Sequence, residues 1–142
     1  MNKIMFMGPI QSGKTTLIQA INGESIRYVK TQAIEFDGMA IDTPGEYIEN
    51  RQYLYALTVT AADADIVIFT QDPTADSVWY SPGQSSMFSA RVIGVITKCD
   101  IAAKDRIEHS EQILKLAGVE KIFKVSAVTR RGIDALMEYI SD

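Results

Sequence analysis

Gly8, Gly13, Lys14 and Thr15 stand at the spacing G-x-x-x-x-G-K-S/T, the spacing of a loop that wraps a polyphosphate. Glycines let successive backbone N–H groups curl toward one point, and the dipole of a following helix adds positive potential. In Gly8-Pro9-Ile10-Gln11-Ser12-Gly13-Lys14-Thr15 the candidate phosphate donors are the main-chain amides from Gln11 through Ser12, Gly13, Lys14 and Thr15 to Thr16. The Lys14 ammonium reaches the outer phosphates, and the Thr15 hydroxyl suits Mg²⁺.

Two further short stretches carry chemistry. Asp42-Thr43-Pro44-Gly45 suits a γ-phosphate sensor. Asp42 can hold a Mg²⁺-bound water, and the Gly45 N–H can bond the terminal phosphate, with glycine allowing the backbone to turn when that phosphate leaves. The same residues suit a strand ending in a plain turn; a phosphate loop upstream favours the sensor. Thr97-Lys98-Cys99-Asp100 suits a base-recognition loop. The Asp100 carboxylate can accept two hydrogen bonds from guanine N1–H and N2–H₂, which adenine lacks. The Lys98 stem can lie along a base. Ser126-Ala127 offers a backbone N–H near the base O6, a weak signal alone.

These loops need strands to hold them. Lys3–Met7 is an apolar stretch that reads as a buried strand, and Thr16–Ile21 reads as a helix stopped by Asn22-Gly23. Strands are expected at 33–36, 39–42, 66–70, 92–97 and 121–125, and helices at 51–62, 105–117 and 133–140, with Gly118 as a stop. Asp37-Gly38 joins two strand-like runs as a two-residue hairpin. The alternation implies an α/β fold: a mostly parallel sheet of about six strands, one edge strand antiparallel, with helices on both faces. Residues 71–90 should form an irregular crossing with at most a short helix near 84–89, because Pro73, Pro82, Gly83 and several serines discourage a longer one. The aromatic residues there, Trp79, Tyr80 and Phe88, should cover the sheet where a helix would otherwise lie; a docking patch is the other reading.

Composition narrows the function. The chain has 142 residues, enough for a single domain spanning 1–142, with a net charge of −4. A broad nucleic-acid surface would need a basic face. No apolar run reaches the length of a membrane span. A strand starting at Lys3 leaves no room for a signal peptide. The lone Cys99 cannot form an internal disulfide, which fits a reducing cytoplasm. His109, the lone histidine, reads as an exposed helical residue.

The order of these motifs resembles the TRAFAC-class, Ras-like small GTPases, and more narrowly the EutP/PduV family of ethanolamine and propanediol utilisation. The narrower likeness rests on the phosphate loop, on Lys30-Thr31-Gln32-Ala33-Ile34-Glu35, on Ala40-Ile41-Asp42-Thr43-Pro44-Gly45-Glu46-Tyr47 and on Thr97-Lys98 before Asp100. The resemblance implies GTP or GDP as ligand, with ATP also admissible. Mg²⁺ would be held by Thr15, Thr31 and, through water, Asp42. The catalytic set would be Lys14, Thr31, Gly45 and Glu46, with Thr97, Lys98, Asp100, Ser126 and Ala127 framing the base. It implies slow GTP hydrolysis in the cytoplasm at a bacterial microcompartment, with shell or cargo proteins as partners. Two alternatives stay open: an acetate kinase-type transfer of the γ-phosphate to acetate, and a non-enzymatic, nucleotide-gated targeting module.

Three positions depart from the Ras-like pattern. Thr97 stands for the usual asparagine, Glu46 for the usual glutamine, and Gln11 for the asparagine of potassium-activated members. No clear arginine finger is present; Arg27 and Lys30, in the expected first switch, are the cations that could approach a phosphate.

Overall fold

The computed structural model describes residues 3–7, 17, 27–29, 62, 64–74, 80 and 82–141. Among these residues five strands form one parallel sheet: β1 (Lys3–Met7), β2 (Arg27–Val29), β3 (Ile66–Gln71), β4 (Arg91–Ile96) and β5 (Ile122–Lys124), in the order β2-β1-β3-β4-β5. Helix α1 spans Lys104–Ala117 and α2 spans Ile133–Ser141.

A strand buried on both faces must be apolar at consecutive positions, because alternate side chains point to opposite sides. Accordingly Ile66, Val67, Ile68 and Phe69 are all fully buried. Their alternation sorts the core into two layers. Met5, Val67, Phe69 and Val92 lie on one face with Ile113, Leu114 and Ala117 of α1. Ile4, Phe6, Ile66, Ile68, Ile93 and Val95 lie on the other with Leu17 and with Ile133, Leu136 and Ile140 of α2. Each fully buried Ile or Leu contributes about 1.5–3 kcal/mol by leaving water, so these two layers are what hold the sheet.

The crossing between β3 and β4 contains a 3₁₀ turn at Gln84–Met87. Tyr80 and Phe88 cover the sheet, while Trp79 lies outside the described residues. The Tyr80 ring stacks on Phe69 at 4.4 Å and 6°, and Phe88 meets Phe69 edge-on at 5.8 Å. The buried Tyr80 hydroxyl donates to the Thr70 carbonyl at 2.8 Å and lies 3.2 Å from the Met7 carbonyl, which also accepts from Thr70 Oγ1. Helix α1 ends where expected, at Gly118 with φ 94°. His109 is exposed in α1 and Cys99 is buried. At the N-terminal end of β4, Arg91 and Tyr139 both bond Glu120, at 2.8 and 2.6 Å, tying α2 to that end of the sheet.

Two expectations are corrected. The segment Arg27–Val29, read as part of a switch loop, is a strand parallel to β1, with Lys3 opposite Arg27 and Met5 opposite Val29. That register puts the Arg27 backbone at the N-terminal end of β1, four residues and about 13 Å of strand from Met7 at a rise of ~3.3 Å per residue. The strand expected to run to Thr97 stops at Ile96. The hairpin strands at 33–36 and 39–42 and the helix at 51–62 lie outside the described residues, apart from Ala62, which is in a turn.

Candidate functional site

All five strands are parallel, so their C-terminal ends share one edge of the sheet, and side chains for a ligand gather there. The phosphate-loop motif follows Met7, the last residue of β1, directly in the sequence. Gln11, Ser12, Gly13, Lys14, Thr15, Thr16, Thr31, Asp42, Gly45 and Glu46 lie outside the described residues. Thr97, Lys98, Asp100, Ser126 and Ala127 are described, and two loops carry them.

The first loop leaves β4. The Thr97 N–H donates to the Gln71 carbonyl at 3.0 Å, continuing the ladder for one residue, and its buried hydroxyl lies 3.3 Å from the same oxygen. Lys98 then takes a left-handed backbone, φ 56°, an uncommon conformation for a residue with a Cβ. It turns the chain sharply enough for its own carbonyl to accept N–H bonds from Ile101 and Ala102, both 3.1 Å. The Cys99 N–H donates to the Val125 carbonyl at 3.1 Å, stapling this loop to the end of β5.

The second loop leaves β5. The Val125 N–H donates to the Ile96 carbonyl at 2.9 Å. The fully buried Ser126 is committed within the loop: its N–H donates to the Arg131 carbonyl at 2.9 Å, and its Oγ accepts from the Thr129 N–H at 3.1 Å. Gly132 closes the loop with φ 76°, and a Cβ there would sit 2.2 Å from the Lys124 carbonyl oxygen.

Between the loops lies a cavity of about 260 Å³ lined by Leu17, Thr97, Lys98, Asp100, Ile101, Val125, Ala127 and Val128. That size suits one fused ring rather than a whole ligand, since drug-sized pockets run to roughly 300–1,000 Å³. Thr97, Lys98, Asp100 and Ala127 line this one cavity, while Ser126 organises the loop behind them. Ile101 and Val128 are 70% and 81% exposed, unusual for large apolar side chains, and both line the cavity. A flat ring seated between the loops would take them out of water. Sequence reasoning passed over both, although each directly follows a singled-out residue, Asp100 and Ala127. It also passed over Leu17, which has helical backbone and is 1% exposed.

Asp72, just past β3, is another residue not singled out. Its Oδ2 accepts from Lys98 Nζ at 2.7 Å, and its Oδ1 accepts from the Thr74 N–H at 2.8 Å and the Thr74 hydroxyl at 2.6 Å. Burial pushes the Asp72 carboxyl up, but the Lys98 and Thr74 hydrogen bonds and the Lys98 charge outweigh it, so its pKa lies below the ordinary value. Cys99 goes the other way: burial raises its thiol, more than the Val125 bond and nearby cations lower it. A raised thiol makes a poor nucleophile at neutral pH, so Cys99 is a packing residue.

A parallel α/β sheet covered on both faces, with a ring-sized cavity beyond its strand ends, has the architecture of the P-loop G-domain fold. The solved FeoB G-domain from Methanococcus jannaschii has the same fold, with a TM-score of 0.65 at 19% identity over 99% of this chain and 95% of that one. The model of the ethanolamine utilisation–propanediol utilisation family matches residues 1–142, and the chain belongs to that family. It is 42% identical to the propanediol utilization protein PduV of Citrobacter freundii over 99% of this chain and 94% of the relative. It is 31% identical to a protein named probable acetate kinase EutP in Escherichia coli K12, over 99% and 90%.

Proposed function

We propose that this protein binds GTP with Mg²⁺ and hydrolyses the γ-phosphate slowly, as a nucleotide-dependent component of ethanolamine or propanediol utilisation at a bacterial microcompartment. The cavity between the 97–101 and 125–128 loops carries the reading, because it joins an apolar slot to one carboxylate, Asp100. Guanine offers that carboxylate two adjacent donors, N1–H and N2–H₂, where adenine has none at the same positions. A site built around a polar contact rejects an analogue that leaves it unpaired far better than an apolar slot rejects by shape. The Thr97 hydroxyl is shorter than an asparagine amide and lies against the Gln71 carbonyl, so discrimination rests chiefly on Asp100.

On the phosphate side, Lys14 and the amides of 11–16 would hold the chain of phosphates, and Gly45 would bond the terminal one. Thr15, Thr31 and Asp42 would hold Mg²⁺, which when bound neutralises phosphate charge. Glu46 would orient water. Catalysis of this kind is positioning plus charge stabilisation, and an arginine finger adds about 10³–10⁵-fold. With the Arg27 backbone at the far end of β1, turnover without a partner should be slow.

The test is a competition titration of GTP against ATP on wild-type protein and Asp100→Ala. GTP should bind at least about a hundredfold tighter, since two bonds to a charged acceptor are worth roughly 1.5–3 kcal/mol each, and the variant should lose that preference. Equal affinities indifferent to the substitution would sink the guanine assignment. Phosphate release should be measured with and without acetate, trapping acyl phosphate as hydroxamate. An acetate-dependent product would replace hydrolysis with phosphoryl transfer to a carboxylate.

A further inference from the structure

We propose that Asp72 is a positioning residue of the base pocket, fixing Lys98 so that its methylene stem forms a wall of the cavity. The inference rests on the nucleotide reading above and adds to it a residue outside the phosphate, base and switch motifs. Lys98 lines the cavity, yet its ammonium is tied 2.7 Å from Asp72 Oδ2. A lysine stem is flexible and loses much rotamer freedom when ordered. Here both ends are held: the backbone by its left-handed turn, φ 56°, and the tip by the carboxylate.

Exposed ion pairs usually contribute little. This one differs because the acceptor is held by contacts of its own. The Asp72 side chain is 8% exposed, and its other oxygen is held twice by Thr74 in an Asx turn. The pairing also crosses from the end of β3 to the end of β4, so one carboxylate sets the position of the base loop relative to the neighbouring strand.

The test compares GTP with inorganic tripolyphosphate, which has no base, by calorimetric titration. Wild type should prefer GTP. Asp72→Asn, which keeps the shape and removes the charge, should weaken GTP about tenfold and leave tripolyphosphate within about twofold. Asp72→Asn added to Lys98→Met should weaken GTP no further than Lys98→Met alone, because the two act as one unit. Thr74→Val, at an exposed position, should weaken GTP by a smaller factor in the same direction, and serves if Asp72→Asn does not fold. If GTP and tripolyphosphate weaken together, Asp72 supports the fold at large and the proposal fails. If no variant changes the ratio while wild type keeps its preference, Asp72 has no positioning role although the nucleotide reading stands. If wild type binds both ligands equally, the base pocket and this proposal fail together.

Discussion

Gly132 and Gly83 form a matched pair for measuring what closes the second loop of the pocket. Their φ values are 76° and 74°, so alanine meets the same backbone penalty at each, about 1 kcal/mol. They differ in what the new Cβ touches. At Gly83 nothing lies within 4 Å; at Gly132 the Cβ would sit 2.2 Å from the Lys124 carbonyl oxygen and 3.2 Å from Val125 Cγ1. A carbonyl in the chain cannot rotate away as a side chain can, so the loop must open by roughly 1 Å to restore ordinary contact. Forced repacking of this kind costs about 1–3 kcal/mol. Gly83→Ala should therefore lower Tm by about 3 °C, and Gly132→Ala by roughly 6–12 °C, at about 3 °C per kcal/mol for a chain this size. Scanning calorimetry on the two variants isolates the clash as their difference. Because Val125 and Ala127 line the cavity, Gly132→Ala should also weaken GTP binding while Gly83→Ala leaves it unchanged. Equal Tm shifts would refute the idea that contact with Lys124 fixes the loop.

Tyr80→Phe removes the hydroxyl that bonds Thr70 and should cost about 1 kcal/mol by denaturant unfolding; an unchanged midpoint would mean that bond contributes nothing. Ile101→Ser and Val128→Ser should change stability by less than about 0.5 kcal/mol yet weaken GTP binding, whereas unaltered affinity would exclude both from the pocket mouth. Cys99 should be alkylated by iodoacetamide at pH 8 at least about tenfold more slowly folded than in guanidinium; equal rates would contradict its burial. Asp72, with a depressed folded pKa, contributes stability above its unfolded pKa that is lost as pH falls through the folded one. Wild type minus Asp72→Asn should thus shrink on acidification below the ordinary carboxylate range, and a flat difference in acid unfolding curves would exclude the effect.

Strong local patterns made most described elements legible. The apolar runs of β1 and β3 and the periodic face of α1 place those elements within one residue of where they lie, because burial on two faces or one leaves an unmistakable spacing. Strand β2 escaped notice since Arg27-Tyr28-Val29 is too short and mixed to show a period. Thr97-Lys98-Cys99-Asp100 stood out in the sequence as a candidate loop, but its supports did not. Asp72-Pro73-Thr74 looks like an ordinary turn, and indeed makes one; its bond to Lys98 joins residues 26 apart, a separation no local window covers. The end of β4 was misplaced by one residue because the left-handed turn at Lys98 follows from tertiary contacts rather than from lysine's own preferences.

Strand β5, the outermost on its side among the described residues, is only three residues long. Lys121 precedes it and Lys124 ends it, with the Lys124 ammonium 2.8 Å from Glu111 of α1. An open strand edge invites pairing with another molecule, and short, lysine-bearing edges discourage it. A protein crowded beside many copies of itself would thus resist adding strand to strand along this border, leaving the neighbouring rim of loops at the strand C-terminal ends as the more open place for encounters.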